Sequence, residues 1–151
     1  IYFSFIYSAS FHCMLTLHLR CILSIHINNF IKNLSMKIVV LKFGGTSVGT
    51  VDRIKKVADI IISFVKKKYK VIVVSSAMSG VTNDFIKKSK NLSKDFDLAE
   101  LDVLVSSGEQ MACALIAGRL KSLNYKSRSW MSWQVPILSE GNHSSARIIE
   151  I

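Results

Sequence analysis

The residues best suited to chemistry lie in three short polar segments, and the first is KFGGTS at positions 42–47. It follows an apolar run, and its two glycines, Gly44 and Gly45, let backbone N–H groups approach a phosphate closely. Lys42 adds a compact positive charge that suits the oxygens of a polyphosphate. The segment is not a Walker A loop, because Thr50 stands where that loop needs lysine, and it lacks the G-x-G-x-x-G pattern of dinucleotide sites. Taken alone, it is either a phosphate-binding loop or a glycine turn beside a solvated lysine.

The second segment, SSAMSGVTN at positions 75–83, follows another apolar run. Hydroxyl groups and loop N–H groups clustered in this way can bind a small anion such as a carboxylate. The alternative is an ordinary turn from strand to helix, in which Thr82 or Asn83 caps the helix that follows.

The third segment, SSGEQ at positions 106–110, precedes an apolar stretch with helical character and is predicted to open a helix. A glutamate such as Glu109 in a first helical turn is ordinarily a residue that the helix dipole favours. The functional alternative is that Glu109 receives the ammonium group of an amino-acid substrate.

Composition narrows the classes of protein that could carry these segments. The chain has 151 residues, room for about one domain, and half of them are hydrophobic, which excludes a disordered tail. The formal net charge of +10 favours anionic ligands. The three cysteines, Cys13, Cys21 and Cys113, form no C-x-x-C pair, so neither a disulfide framework nor a metal site is predicted. They favour a reduced, cytoplasmic compartment.

Alternating strands and helices are needed to position the three segments. Strands are predicted at 37–42, 70–77 and 126–133, and helices at 50–68, 83–92, 97–106 and 108–124, with loop around Pro136, Gly141 and Asn142. Thr50 is the expected N-cap of the first helix. This order predicts an α/β fold with a mainly parallel sheet between helices. Because parallel sheets bind ligands beyond the carboxyl ends of their strands, the first two polar segments should lie side by side.

Residues 1–35 differ from the rest of the chain, since Arg20 and Lys32 are their only charged residues. Residues 1–19 approach the length that crosses a bilayer, but their serine, threonine and histidine residues make a poor span. These residues lack the basic start and the small-residue cleavage site of a secretory signal. We expect 1–35 to be an extension that is not native or is disordered, with Met36 opening a domain over 36–151. A membrane anchor or an unrecognised targeting segment is the alternative.

Taken together and in this order, KFGGTS, SSAMSGVTN and SSGEQ resemble the amino-acid kinase family, and within it the N-terminal part of the bacterial aspartokinases. The stretches SWMSWQVP (129–136) and ARI (146–148) are similar to the same family, so the resemblance covers residues 36–151. It implies the αβα sandwich of that family, here incomplete. It also implies transfer of the γ-phosphoryl group of ATP to the side-chain carboxylate of L-aspartate, the first step toward lysine, threonine, methionine and diaminopimelate.

The resemblance also implies roles for individual residues. The implied ATP-binding residues are Lys42, Phe43, Gly44 and Gly45, and the implied substrate-binding residues are Thr82, Glu109, Thr46, Ser47 and Ser76. Lys42 would in addition stabilise the transition state, and Thr82 and Glu109 would hold aspartate. Mg²⁺ would arrive with the nucleotide, so no metal ligands are implied in the chain.

Members of the family run on for hundreds of residues more, through the adenine site and regulatory domains. We therefore expect this chain to be a fragment with little or no turnover, from a full-length protein that is a homo-oligomer. One alternative is a non-catalytic module that pairs through a sheet edge. Another is a basic nucleic-acid binder using the lysines at 66–68, 87, 88 and 90, although no aromatic ladder accompanies them. We expect neither nucleic acid nor membrane as a partner.

Overall fold

The computed structural model describes residues 37–135 and 137–150. Its elements are β1 (Ile38–Phe43), α1 (Val51–Lys66), β2 (Lys70–Ser75), α2 (Val81–Leu92), α3 (Leu98–Ser122), a 3₁₀ turn (Ser132–Gln134), β3 (Leu138–Glu140) and β4 (Arg147–Glu150). The predictions made for residues 1–35 lie outside the described residues.

Strands β1 and β2 form a parallel pair, with Ile38 opposite Lys70 and Phe43 opposite Ser75. Helix α1 connects them, so the expected α/β fold with a parallel sheet and flanking helices is confirmed. Because the two strands run in the same direction, their carboxyl ends lie side by side at the same end of the sheet. The first two polar segments therefore leave the sheet next to each other.

Helix α1 covers the sheet with the apolar face that the sequence predicts. Thr50 is its N-cap, and the Thr50 side chain accepts a hydrogen bond of 3.2 Å from the backbone N–H of Arg53. The buried face consists of Ile54, Val57, Ala58, Ile61 and Ile62. These side chains share one core with Val71 and Val73 of β2 and with Ile116 and Leu120 of α3. Because this apolar face packs against the sheet, the first turn of α1 lies beside the glycine segment.

Residues 98–122 form a single helix, so the predicted break between Ser106 and Gly108 is wrong. The hydroxyl groups of Ser106 and Ser107 donate to carbonyl oxygens three residues earlier, which satisfies them inside a continuous helix. Gly108 does not end the helix either. A Cβ added there would meet Val81 at 2.9 Å and Ala77 at 3.3 Å, so the glycine permits close packing. Glu109 consequently lies in mid-helix and not in a first turn.

Two smaller predictions are also wrong. Helix α2 begins after Gly80, an N-cap with φ of +86° and no side-chain hydrogen bond, so neither Thr82 nor Asn83 caps it. The predicted strand at 126–133 does not form: within the described residues this segment pairs with no strand, the Ser127 hydroxyl donates to the Ala117 carbonyl, and a 3₁₀ turn begins at Ser132. Instead, the short antiparallel strands β3 and β4 form where the sequence predicts loop.

The β3–β4 hairpin is fastened to α3 by one carboxylate. Asp102 accepts hydrogen bonds from the backbone N–H of Ser144 at 2.9 Å and from its hydroxyl at 2.8 Å. The Nδ1 atom of His143 lies 3.2 Å from the same carboxylate. His143, to which the sequence analysis gives no function, therefore has a structural contact.

Within the described ranges, no helix is long and apolar enough to cross a bilayer. The same residues contain no group of three or more histidine, cysteine, aspartate or glutamate side chains that could hold a metal ion.

Candidate active site

The first two polar segments are joined by backbone hydrogen bonds just beyond the carboxyl ends of β1 and β2. The N–H of Ser76 donates to the carbonyl of Phe43 at 3.1 Å, which extends the ladder one step beyond β2. The N–H of Ser79 then donates to the carbonyl of Gly45, also at 3.1 Å. The glycine segment and the SSAMSGVTN segment thus form one surface.

The third polar segment meets the second at Ala77. Gly108 packs against the Ala77 methyl group, and the carboxylate of Glu109 accepts a hydrogen bond from the Ala77 backbone N–H. On its other side, the Ala77 carbonyl lies 2.8 Å from the position that a Cβ of Gly45 would occupy. The first and third segments therefore both contact this one buried residue of the second segment.

The close approach at Gly45 predicts that alanine substitution lowers stability more at Gly45 than at the adjacent Gly44. A Cβ at Gly45 would press on backbone that cannot move aside, whereas a Cβ at Gly44 would meet nothing within 4 Å. We expect Gly45→Ala to lower the free energy of unfolding by about 1–3 kcal/mol, the usual cost of overpacking. Gly44→Ala is the matched control, and its urea midpoint should stay close to that of the parent chain. Equal urea midpoints for the two variants would show that the loop does not approach Ala77 this closely.

The loop that follows β1 leaves several donors free. Ser47 and Val48 donate their N–H groups to the Gly44 carbonyl, and the Arg53 guanidinium donates to the Thr46 carbonyl. Val48 is fully buried and anchors the turn. Among the described hydrogen bonds, the backbone N–H groups at positions 44, 45 and 46 donate to no acceptor. A run of unused N–H groups just before a helix suits the oxygens of a phosphate tail.

Lys42 stands beside this run of donors. Side chains alternate along β1, and Leu41 and Phe43 pack against the core while Lys42 is exposed. Its ammonium group is therefore available at the strand end where the glycine loop begins. The residues present fit the triphosphate of ATP, with one full positive charge and three backbone donors in sequence.

Glu109 is a buried acid with an unused acceptor. Its side chain is 6% exposed, and its Oε2 atom has no hydrogen-bond partner among the described residues. Burial raises the pKa of the Glu109 carboxyl from 4.5 to about 7, and the hydrogen bond from Ala77 opposes that shift only partly. A buried acceptor without a partner is costly for a protein, so the site lacks a donor that a ligand could supply. An ammonium group is such a donor.

The raised pKa of Glu109 predicts how stability depends on pH. The folded chain binds a proton at this carboxyl more tightly than the unfolded chain, so the stabilisation is complete below pH 4.5 and is lost as the pH rises to about 7. We expect Glu109→Gln to raise the free energy of unfolding at pH 8 by on the order of 2 kcal/mol, since one pKa unit is worth about 1.4 kcal/mol. At pH 4 the gain should vanish. Urea unfolding at both pH values tests this, with Glu140→Gln on exposed β3 as control; a gain that does not change with pH would contradict it.

The remaining predicted residues surround this centre with different exposure. Ser76 and Thr82 are half-buried, Ser76 directly before Ala77 and Thr82 in the first turn of α2. Thr46 and Ser47 are exposed in the glycine loop. The structure places all four on the segments that converge, and their ligand contacts stay predictions.

Sequence reasoning misses two residues that shape the site. The first is Ala77, whose backbone N–H donates to Glu109. Every residue except proline has a backbone N–H, so the residue type gives no indication of this contact. Arg53 donates to the Thr46 carbonyl. The sequence could have indicated this residue, because it is a cation in the first turn of the helix that follows the loop.

Comparison with known proteins gives a consistent pattern. The amino acid kinase family profile matches residues 37–149. The chain is 46% identical over 116 residues to the aspartokinase of Rickettsia bellii, covering 75% of this chain and 29% of that protein. It is 43% identical over 116 residues to the aspartokinase of Geobacillus stearothermophilus, covering 77% and 28%. The crystal structure of aspartate kinase from Synechocystis superposes with a TM-score of 0.55 at 39% identity, over 58% of this chain and 15% of that one. The chain thus spans less than a third of the length of these curated relatives.

Proposed function

Because the chain belongs to the amino acid kinase family, we propose that it forms the part of an aspartate kinase that binds the ATP phosphates and the amino acid. The product would be 4-phospho-L-aspartate, which supplies lysine, threonine and methionine synthesis. The observation that supports this most strongly is the convergence of three polar segments on Ala77, with free N–H donors on one side and a buried carboxylate on the other. A cytoplasmic location belongs to the same proposal and fits the free thiol of Cys113.

The proposed reaction needs positioning and charge neutralisation more than proton transfer. The side-chain carboxylate of aspartate is already ionised near neutral pH, so it can attack the γ-phosphorus without a general base. One carboxylate oxygen forms the new bond to phosphorus, and the bond from phosphorus to the β–γ bridging oxygen breaks as ADP leaves. Two anions must be held in line while they repel each other.

The chain supplies groups suited to that task. In this proposal Lys42 and the N–H groups of the glycine loop bind the phosphate oxygens and stabilise the charge that moves onto ADP. Glu109 binds the ammonium group of aspartate, and the Thr82 hydroxyl binds the same substrate. Mg²⁺ arrives with the nucleotide and neutralises part of the phosphate charge. Thr46, Ser47 and Ser76 complete the wall of the pocket.

A chimera tests the proposed function. Residues 37–149 of this chain would replace the matching segment of the Rickettsia bellii aspartokinase, which it resembles closely enough to fit. We expect ADP release that depends on aspartate, together with an acyl phosphate that hydroxylamine traps. L-Glutamate and N-acetyl-L-glutamate are the control acceptors. A folded chimera that releases no ADP with aspartate, or that prefers a control acceptor, would contradict the proposal.

A further inference from the structure

The two helices that carry the proposed amino-acid site meet at a glycine. Thr82 lies in the first turn of α2, and Glu109 lies in the middle of α3. A Cβ added at Gly108 would lie 2.9 Å from a methyl carbon of Val81. Val81 immediately precedes Thr82, and Gly108 immediately precedes Glu109. The distance between the helices at this contact therefore sets how far apart the two proposed substrate-binding side chains lie.

The space beside Gly108 is enclosed by three side chains. The same added Cβ would lie 3.3 Å from the Ala77 methyl group and 3.4 Å from the ring of Phe85. Val81 does not turn away easily, because a valine side chain in a helix strongly prefers one rotamer. Ala77 is held as well, since its backbone N–H donates to the Glu109 carboxylate. A side chain at position 108 would therefore push α2 and α3 apart.

That displacement is large on the scale of a binding site. Carbon atoms pack favourably at about 3.5–4.0 Å, so a contact of 2.9 Å has to open by about 0.5–1 Å. Groups that bind one small substrate together have to keep their places within about 0.5 Å. A single methyl group at position 108 therefore exceeds the tolerance of the proposed amino-acid site.

The second glycine of α3 shows what is particular to Gly108. Gly118 is exposed, and among the described residues a Cβ added there would meet nothing within 4 Å. Glycine in a helix interior lowers stability relative to alanine, because it loses more backbone entropy on folding. Gly118 has that cost with no close approach beside it. At Gly108 the cost is offset by the packing of α2 against α3.

We propose that Gly108 is a positioning residue for the amino-acid substrate: without a side chain there, α2 approaches α3 until Thr82 and Glu109 bind one aspartate together. This inference rests on the proposed function and adds to it a residue that touches neither substrate. Gly108 acts through the spacing of the two helices. Its replacement should therefore weaken the binding of aspartate and leave the binding of ATP at the glycine loop largely intact.

Urea unfolding of the full chain tests the packing around Gly108. We expect Gly108→Ala to lower the urea midpoint by about 0.5–1 M, and the control Gly118→Ala to raise it by about 0.3–0.5 M. Val81→Ala removes the nearest opposing carbon. In a chain that already carries Val81→Ala, Gly108→Ala should no longer lower the midpoint. A midpoint that Gly108→Ala raises, as Gly118→Ala does, would overturn the proposal.

Kinetics of the chimera test the positioning itself. Gly108→Ala should raise the KM for aspartate at least about tenfold and change the KM for ATP less than about twofold. Adding Val81→Ala should return the KM for aspartate to within about threefold of the parent chimera. Ser89→Ala is the control: Ser89 is buried one turn after Phe85 on α2, and the change adds no atom. Its kinetics should equal those of the parent.

The outcomes separate this inference from the proposed function. An unchanged KM for aspartate in a folded Gly108→Ala chimera would overturn the inference, as would equal increases in the KM for aspartate and for ATP. If Gly108→Ala does not fold, Val81→Ile crowds the same contact from α2 and should raise the KM for aspartate at least about threefold. A parent chimera without ADP release that depends on aspartate would contradict the proposed function, and this inference with it.

Discussion

Replacing Lys42 with alanine is expected to lower kcat of the chimera roughly 100- to 1000-fold, the effect of losing one group that stabilises transition-state charge. The reason is its position: Lys42 is an exposed cation at the carboxyl end of β1, next to the N–H groups of positions 44–46, which donate to no acceptor among the described residues. Negative charge grows on the leaving ADP during transfer, and a fixed ammonium group stabilises it more than it stabilises bound ATP. The KM for aspartate should change by less than about threefold, because Lys42 does not bind that substrate.

Lys37→Ala is the matched control, since Lys37 is also exposed but lies at the opposite end of β1. Its kcat should equal that of the parent chimera. Lys42→Arg should recover only part of the activity, because the planar guanidinium differs in shape from the ammonium group. Unchanged turnover in Lys42→Ala would remove this lysine from the mechanism.

Replacing Glu109 with alanine is expected to raise the KM for aspartate by about 10- to 100-fold and to leave the KM for ATP unchanged. Among the described residues, the Oε2 atom of the buried carboxylate has no partner, and a hydrogen bond between charged groups at such a place is worth about 1.5–3 kcal/mol. An effect on ATP alone would contradict the assignment of Glu109 to the amino acid.

The pKa of Glu109 gives this prediction a pH signature. Only the ionised carboxyl attracts an ammonium group, and burial raises its pKa to about 7. The KM for aspartate should therefore rise as the pH falls below 7, by up to about tenfold per pH unit, and should level off above it. Glu109→Gln should abolish that dependence, while Glu140→Gln should retain it. A KM that does not change from pH 5.5 to pH 8 in the parent chimera would contradict the role.

Much of the fold could be predicted because local signals and burial agree there. The apolar stripe of α1 begins after a threonine cap and repeats at helical spacing, and it is buried as the spacing requires. The continuous apolar run at the start of β2 likewise predicts a strand within a covered sheet. Parallel pairing then brings the first two polar segments together, as expected from strand direction alone.

The predictions that are wrong involve contacts between residues distant in sequence. Gly108 looks like a helix break, but it is needed because Val81 and Ala77 occupy the space that a side chain would fill. Glu109 is predicted to lie at a helix start, and its buried position beside the Ala77 N–H follows only from packing between α2, α3 and the end of β2. Strands β3 and β4 have three and four residues, too few for a period to be visible in the sequence.

The most direct test of the whole account is a crystal structure of the chimera with a non-hydrolysable ATP analogue and L-aspartate. We predict the Lys42 Nζ atom within about 3 Å of a phosphate oxygen, and a Glu109 carboxylate oxygen within about 3 Å of the aspartate ammonium group. The N–H groups of Gly44 and Gly45 should point toward the same phosphates. Nucleotide bound away from the glycine loop, or aspartate bound without contact to Glu109, would show that the three segments do not form one catalytic site.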